Sequence, residues 1–229
     1  MSEYNDMELK VEDCSLITRM AGVKEAMNLR ELEERLRVCP DECLFHHFCE
    51  TVIRPTFDYP DYTNDFALWA GSQLRDNILA ERLSVLNPYK CKSVDELRQQ
   101  VLDILEERLS ETDHILWAPK NRAFQFLQAV TVVFETDIKL NRPSDFYEQL
   151  PNMSHGSIYY HFVEARRRTK WMVDDFTAWL SEFDIEAKPL IKTLGEIDFY
   201  FLTLAELKKT LVAVTTEFFK EAKHEKNIN

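Results

Sequence analysis

Apolar side chains recur three and four positions apart through most of this sequence, the spacing that places them on one face of a helix. The stretch NLRELEERL (28–36) shows it in short form, with Leu29, Leu32 and Leu36 on one side. Asn28 and Glu31 there have the form of a capping box, Glu31 being placed to reach back to the Asn28 N–H. Asp41 is placed to cap a second helix, whose Leu44, Phe48 and Val52 form one stripe and which must stop before Pro55. Asn64 or Asp65 opens a third, with Phe66, Trp69 and Ala70 turned the same way. LRDNILAERLSVL (74–86) then continues as helix until Asn87-Pro88 ends it. Two more capping boxes, Ser93-x-x-Glu96 and Thr203-x-x-Glu206, each precede a long helical pattern. The exception is FQFLQAVTVVFE (124–135), where β-branched and aromatic residues favour an extended segment. The last residues, KHEKNIN, are expected to fray.

Three phrases recur in the same order. CLFHHFCE (43–50) answers to SIYYHFVE (157–164), NDFALW (64–69) to DDFTAW (174–179), and SVDELR (93–98) to TLAELK (203–208). His47 to His161, Asp65 to Asp175 and Glu96 to Glu206 are separated by 114, 110 and 110 positions. One four-residue indel in the Pro- and Tyr-rich stretch RPTFDYPDY reconciles all three, and Arg54 and Arg168 fall in register with the first pair. Kept order and kept spacing point to an internal duplication. The pattern therefore predicts a mainly α protein of two homologous helical repeats, residues 1–110 and 124–229, joined by a linker at 111–123. The repeats are expected to pack with pseudo-two-fold symmetry, with room for one short extended segment in each.

Composition narrows the function more than the fold. The chain has 229 residues, 45% hydrophobic and 30% charged, an ordinary globular balance that can bury a core without disulfides. Only four glycines occur, and neither G-x-G-x-x-G nor G-x-x-x-x-G-K is present, which excludes the common phosphate-cradling loops. A formal charge of −12 and a pI of about 5.0 argue against nucleic acid and against anionic membrane surfaces as partners. The longest apolar run, AVTVVF (129–134), is too short to span a bilayer. The first residues, MSEYNDMELKVEDC, lack the cationic start of a signal peptide, and five cysteines, an odd number, suit a reducing compartment. A soluble, cytoplasmic protein without a cofactor is expected.

With those phrases laid out, SIYYHF followed by DDF-x-x-W, together with NDFALWA, LAERL before NPY, and NLREL, resembles an uncharacterised prokaryotic family classed as a domain of unknown function. The likeness extends over both halves. It implies a mostly helical protein, and an association with glycosyltransferases of the trehalose-synthase type, to which some members are fused or beside which they are encoded. The second half departs from the pattern, because LAERLSVLNPY is replaced there by PLIKTLGEIDF.

The candidate chemistry centres on the repeated histidines. His47 with Glu50, and His161 with Glu164, are spaced i, i+3 and share a helix face. With Asp65 and Asp175 they supply six N and O donors that two-fold packing would bring together as a metal or ligand site, although bundle metal sites are usually written Glu-x-x-His. Arg54 and Arg168 complete the candidate ligand-binding set. The alternative, favoured by the flanking aromatics, makes each histidine a core residue hydrogen-bonded to the start of the following helix. Asp65 and Asp175 would then be the N-caps and the histidines' partners. Cys39, Cys43, Cys49 and His46 invite a zinc reading, but Ser157, Tyr160 and Val163 stand at the matching places of the second copy, which favours buried reduced thiols and no metal. Arg166, Arg167, Arg168 and Lys170 could hold a phosphate or a sugar diphosphate, or could pair with the surplus carboxylates. No G-x-S-x-G elbow occurs, and Cys49, two residues from His47, cannot face it on a helix. The expected function is a non-catalytic regulatory or interaction module with a protein partner, a glycosyltransferase of sugar metabolism. A metal- or phosphosugar-binding domain with its site between the repeats is the alternative.

Overall fold

The computed structural model describes residues 8–50, 62–168, 173–183 and 187–226. About 59% of the chain is helical, and two long strands, β1 (Leu9–Met20) and β2 (Leu127–Leu140), form a two-stranded antiparallel sheet. The fold is therefore mixed α/β, not mainly α, and two helical repeats paired about a two-fold axis are not what it shows. The extended pattern at 124–135 does mark β2. Its partner β1, LKVEDCSLITRM, went unpredicted, because only tertiary pairing makes so polar a segment a strand. The chain divides into two units: Leu16–Val130, and Met1–Ser15 with Thr131–Asn229.

In the first unit, α1 (Leu29–Leu36) buries the three leucines its spacing places on one face. Asn28 caps it by accepting from Glu31 N at 2.9 Å, while Glu31 reaches one residue further back than expected, to Met27 N at 2.9 Å. Helix α2 (Asp41–Cys49) has Pro40 at its cap with no side-chain hydrogen bond, so Asp41 is its first residue and not its cap. Val52, Arg54 and Pro55 lie outside the described residues. Helix α3 (Asp65–Trp69) is capped by Asn64, which accepts from Ala67 N at 2.9 Å, and runs into a π-helical turn at Ala70–Leu74. Arg75, left-handed at φ 58°, breaks the helix predicted to run through 74–86. Asp76 then caps α4 (Asn77–Ser84), and its other carboxylate oxygen takes Arg108 Nε at 2.8 Å from α5 (Val94–Glu111). After α5 the chain stays with this unit: Ala118 N donates to Met27 O at 2.7 Å, and Trp69 Nε1 to Arg122 O at 2.9 Å. Phe124 stacks on Phe66 with ring centroids 4.7 Å apart. That stack forms a wall of the core against which His47 lies.

The second unit holds α6 (Pro143–Gln149), α7 (His155–Ile158), a π-helical stretch at Tyr159–Glu164, α8 (Ala165–Arg168), α9 (Asp175–Leu180), α10 (Lys188–Gly195) and α11 (Leu204–Lys226). The capping box before α11 forms as the sequence predicts: Glu206 N donates to Thr203 Oγ1 at 3.2 Å and Thr203 N to Glu206 Oε2 at 2.9 Å. Leu204, Leu207, Leu211 and Thr215 form its buried stripe. Gly156 lets α7 press on β1, since a Cβ there would meet Asp13 Oδ1 at 2.1 Å and the Cys14 carbonyl at 2.6 Å. The two histidine phrases do not share one backbone form. CLFHHFC is α-helical, whereas YYHFVE takes the wider π turn.

Candidate functional site

Each unit contains one histidine held between a carboxylate and a strand. In the first, His47 Nδ1 lies 2.7 Å from Asp65 Oδ2, and Leu127 N at the start of β2 donates to His47 Nε2 at 2.9 Å. In the second, His161 Nδ1 lies 2.8 Å from Asp175 Oδ2, and Glu12 N of β1 donates to His161 Nε2 at 2.8 Å. This geometry assigns the tautomer. A ring nitrogen that accepts from a backbone N–H carries no proton, so the proton is on Nδ1 and is donated to the aspartate. Both rings are buried and flanked by aromatics, His47 by Phe66 and Phe124, His161 by Tyr160 and Phe176.

The expected His–carboxylate bond is thus present in both units, but the aspartates are not the caps. Asn64 and Asp174, one residue earlier, cap α3 and α9, and Asp65 and Asp175 occupy the first helical positions. From there each carboxylate is free to turn back towards the preceding helix. The capping residue and the histidine's partner are neighbours with separate tasks.

The glutamates do not join the histidines. Glu50 pairs with His46, Nδ1 to Oε2 at 2.6 Å, both buried, at i, i+4 and not with His47 at i, i+3. Glu164, also buried, is bound by the guanidinium of Arg168 and, at 3.2 Å, by Arg167. Arg168 Nη2 also donates to Asp175 Oδ2 at 2.9 Å and to Tyr160 O at 3.1 Å, while its guanidinium lies over the Tyr160 ring, 4.0 Å from the centroid. Burial opposes the Arg168 charge, but Asp175 and Glu164 outweigh it and hold its pKa above the ordinary value. Arg166 binds Asp174 Oδ2 at 2.8 Å and lies over the Phe162 and Phe199 rings, 4.9 and 5.0 Å from their centroids. Burial raises the Asp174 pKa despite Arg166. The side chains of the basic cluster thus turn to carboxylates of their own unit; Lys170 and Arg54 lie outside the described residues. Among the described residues, no three of His, Cys, Asp and Glu converge so as to hold a metal ion. Neither do any of their helices reach the length and apolarity needed to cross a membrane.

What sequence reasoning missed are the backbone partners. Leu127 N and Glu12 N are main-chain groups, and no side-chain pattern advertises them.

Residues 6–216 match the family described as a family of unknown function, DUF5752. The chain belongs to this DUF5752 family. The match spans nearly the whole chain, including both histidine–aspartate pairs. Among solved structures, OrfY from Thermoproteus tenax is similar at 28% identity and a TM-score of 0.76, over 92% of this chain and 94% of that one. No curated protein matches.

Proposed function

We propose that this DUF5752 protein is a non-catalytic interaction module that binds and regulates an enzyme of sugar metabolism, its partner being a glycosyltransferase. The observation that supports a non-catalytic role is the engagement of both ring nitrogens of His47 and of His161. A general base needs a lone pair facing its substrate, and here Nε2 faces a strand N–H and Nδ1 carries a proton for an aspartate. Exposed apolar side chains on the strands favour protein contact: Ile17 and Val130 in one unit, Val132 and Phe134 in the other. The glycosyltransferase class rests on the resemblance drawn from the sequence phrases.

The test mixes the purified chain with a trehalose-synthase-type glycosyltransferase, measures complex formation by light scattering, and follows sugar transfer with and without the chain. A complex, a changed kcat or KM of the transferase, and no turnover by the chain alone are expected. Turnover of a sugar nucleotide by the chain alone, abolished in His161→Ala, would reverse the reading. Absence of any complex at micromolar concentration would remove the partner.

A further inference from the structure

One stretch of strand edge stands open. In β2, Val132, Val133, Phe134 and Glu135 are all exposed, the three apolar ones at 41%, 38% and 46%. Successive side chains of a strand point to opposite faces, so four exposed in a row leave both faces of β2 open here. β1 lies on one side of β2, and among the described residues no strand lies on the other. Two hydrogen bonds fix which backbone groups point to that outer side. Phe126 O accepts from Ala21 N, which continues β1, at 2.8 Å, whereas Leu127 N turns away and donates to His47 Nε2 at 2.9 Å. Alternation along the strand then turns the N–H and C=O of Thr131, Val133 and Glu135 outward, as it does those of Leu127.

Open edges are normally blunted by charge, by Pro or by a bulge. β1 carries Lys10, Glu12, Asp13 and Arg19, and its Glu12 N–H is taken by His161. From Leu127 to Phe134, β2 has neither a charged residue nor Pro, and its first charge is Glu135. Two copies of a chain of net charge −12 repel one another, and an uncharged stretch is where they approach at least cost.

We propose that the outer edge of β2 pairs antiparallel with the same edge of a second copy of this chain, about a two-fold axis through Val133. In that register Thr131, Val133 and Glu135 each exchange backbone hydrogen bonds with the residue opposite. Val132 of each copy faces Phe134 of the other, which gives two pairs of a β-branched with an aromatic side chain. Thr131 faces Glu135, and its hydroxyl has a carboxylate to donate to. The neighbouring registers suit the side chains less well. A centre at Val132 sets the Glu135 carboxylate against Ala129, which has nothing to donate. A centre at Phe134 sets it against Val133, and a centre at Glu135 sets two carboxylates face to face. The contact is small, below about 1,200 Å², the class of weak and transient association. Pairing along the edge leaves the faces of β2 open, so it goes beyond the transferase binding proposed above and does not depend on it.

The test uses the full chain alone. Light scattering at about 100 µM should give twice the 27.1 kDa of one chain, falling towards a single chain at about 1 µM. Val133→Pro removes the outward N–H at the axis, which β1 does not use, and should give a single-chain mass at both concentrations. Val133→Lys keeps that N–H but sets two ammonium groups face to face, and should do the same; it decides the matter if circular dichroism shows the Pro variant unfolded. The register is read by mixing Val132→Cys with Phe134→Cys under mild oxidation, the five native cysteines being buried. The mixture should become disulfide-linked several-fold faster than either variant alone. A parent of single-chain mass at the higher concentration would leave this edge to a strand of a different protein and overturn the proposal. A dimer that survives the Val133 variants, or a mixture that links no faster than its components, would overturn it too. Transferase binding is measured separately, so none of these results bears on it.

Discussion

Replacing His161, itself buried, by alanine strips the half-buried Glu12 N–H of β1 of its acceptor, 2.8 Å away. Leaving a buried donor unpaired costs about 1–3 kcal/mol. Asp175 loses one partner but keeps Arg168 Nη2 at 2.9 Å, so its share of the cost is small. The ring also packs on Phe176, centroids 5.5 Å apart, and the void left behind moves the total towards the upper end of that range. His161→Phe retains ring volume and removes only the nitrogens, so it separates the hydrogen bond from the packing. The local readout is hydrogen exchange at the Glu12 amide, which should quicken roughly tenfold to a hundredfold in both variants, the rate equivalent of that energy. A urea titration gives the global loss, larger for alanine than for phenylalanine. If the Glu12 amide stays as protected in both variants as in the parent, His161 does not anchor β1, and the tautomer argument fails with it.

Two glycines in helices should respond with opposite signs. Gly156→Ala forces a methyl group into the Cys14 carbonyl and should destabilise by about 1–3 kcal/mol, whereas Gly195→Ala meets nothing within 4 Å and should gain about 0.4–1 kcal/mol, both read from denaturation midpoints. Trp69→Ala removes a buried ring and its bond to Arg122 O and should cost about 3–5 kcal/mol; a melt within a degree or two of the parent would place that ring outside the core. Burial works against the Asp145 charge, but the Asn141 and Arg142 N–H groups prevail and depress its pKa below the ordinary 3.8. Its contribution is therefore present above pH 3.8 and lost as pH falls through the lower folded value, so Asp145→Asn should flatten the acid limb of a stability–pH curve.

The helices were legible where a local rule decides them. Asn28, Ser93 and Thr203 all cap as their spacing predicts, and the leucine faces behind them are buried. The histidine–aspartate pairs were legible too, because both partners are side chains within eighteen residues of each other. What stayed hidden has a common physical cause. β1 is a strand only because β2, more than a hundred positions away, pairs with it. LRDNILAERL keeps helical spacing across Arg75, and only the left-handed backbone there shows the break. Asp65 and Asp175 were misread as caps because each follows an equally good capping residue, and composition does not say which of two neighbours turns outward. Arg98 meets Cys39 across 59 positions, beyond any motif.

The choice of histidine for both anchors follows from geometry. The role calls for an acceptor aimed at a strand N–H and a donor aimed at a carboxylate, held rigidly apart inside an apolar wall. Neutral imidazole offers both on opposite sides of one flat ring; Asn and Gln offer both at one end of a flexible stem, and Lys or Arg offers no acceptor. The same bonds compete with a metal ion at these positions. A metal ion at Nε2 would need the lone pair that Leu127 N or Glu12 N now occupies, so each site would have to release its strand before it could bind. Strand anchoring and ligation at Nε2 are mutually exclusive states of the same nitrogen, and in this structure Nε2 of each histidine accepts from its strand.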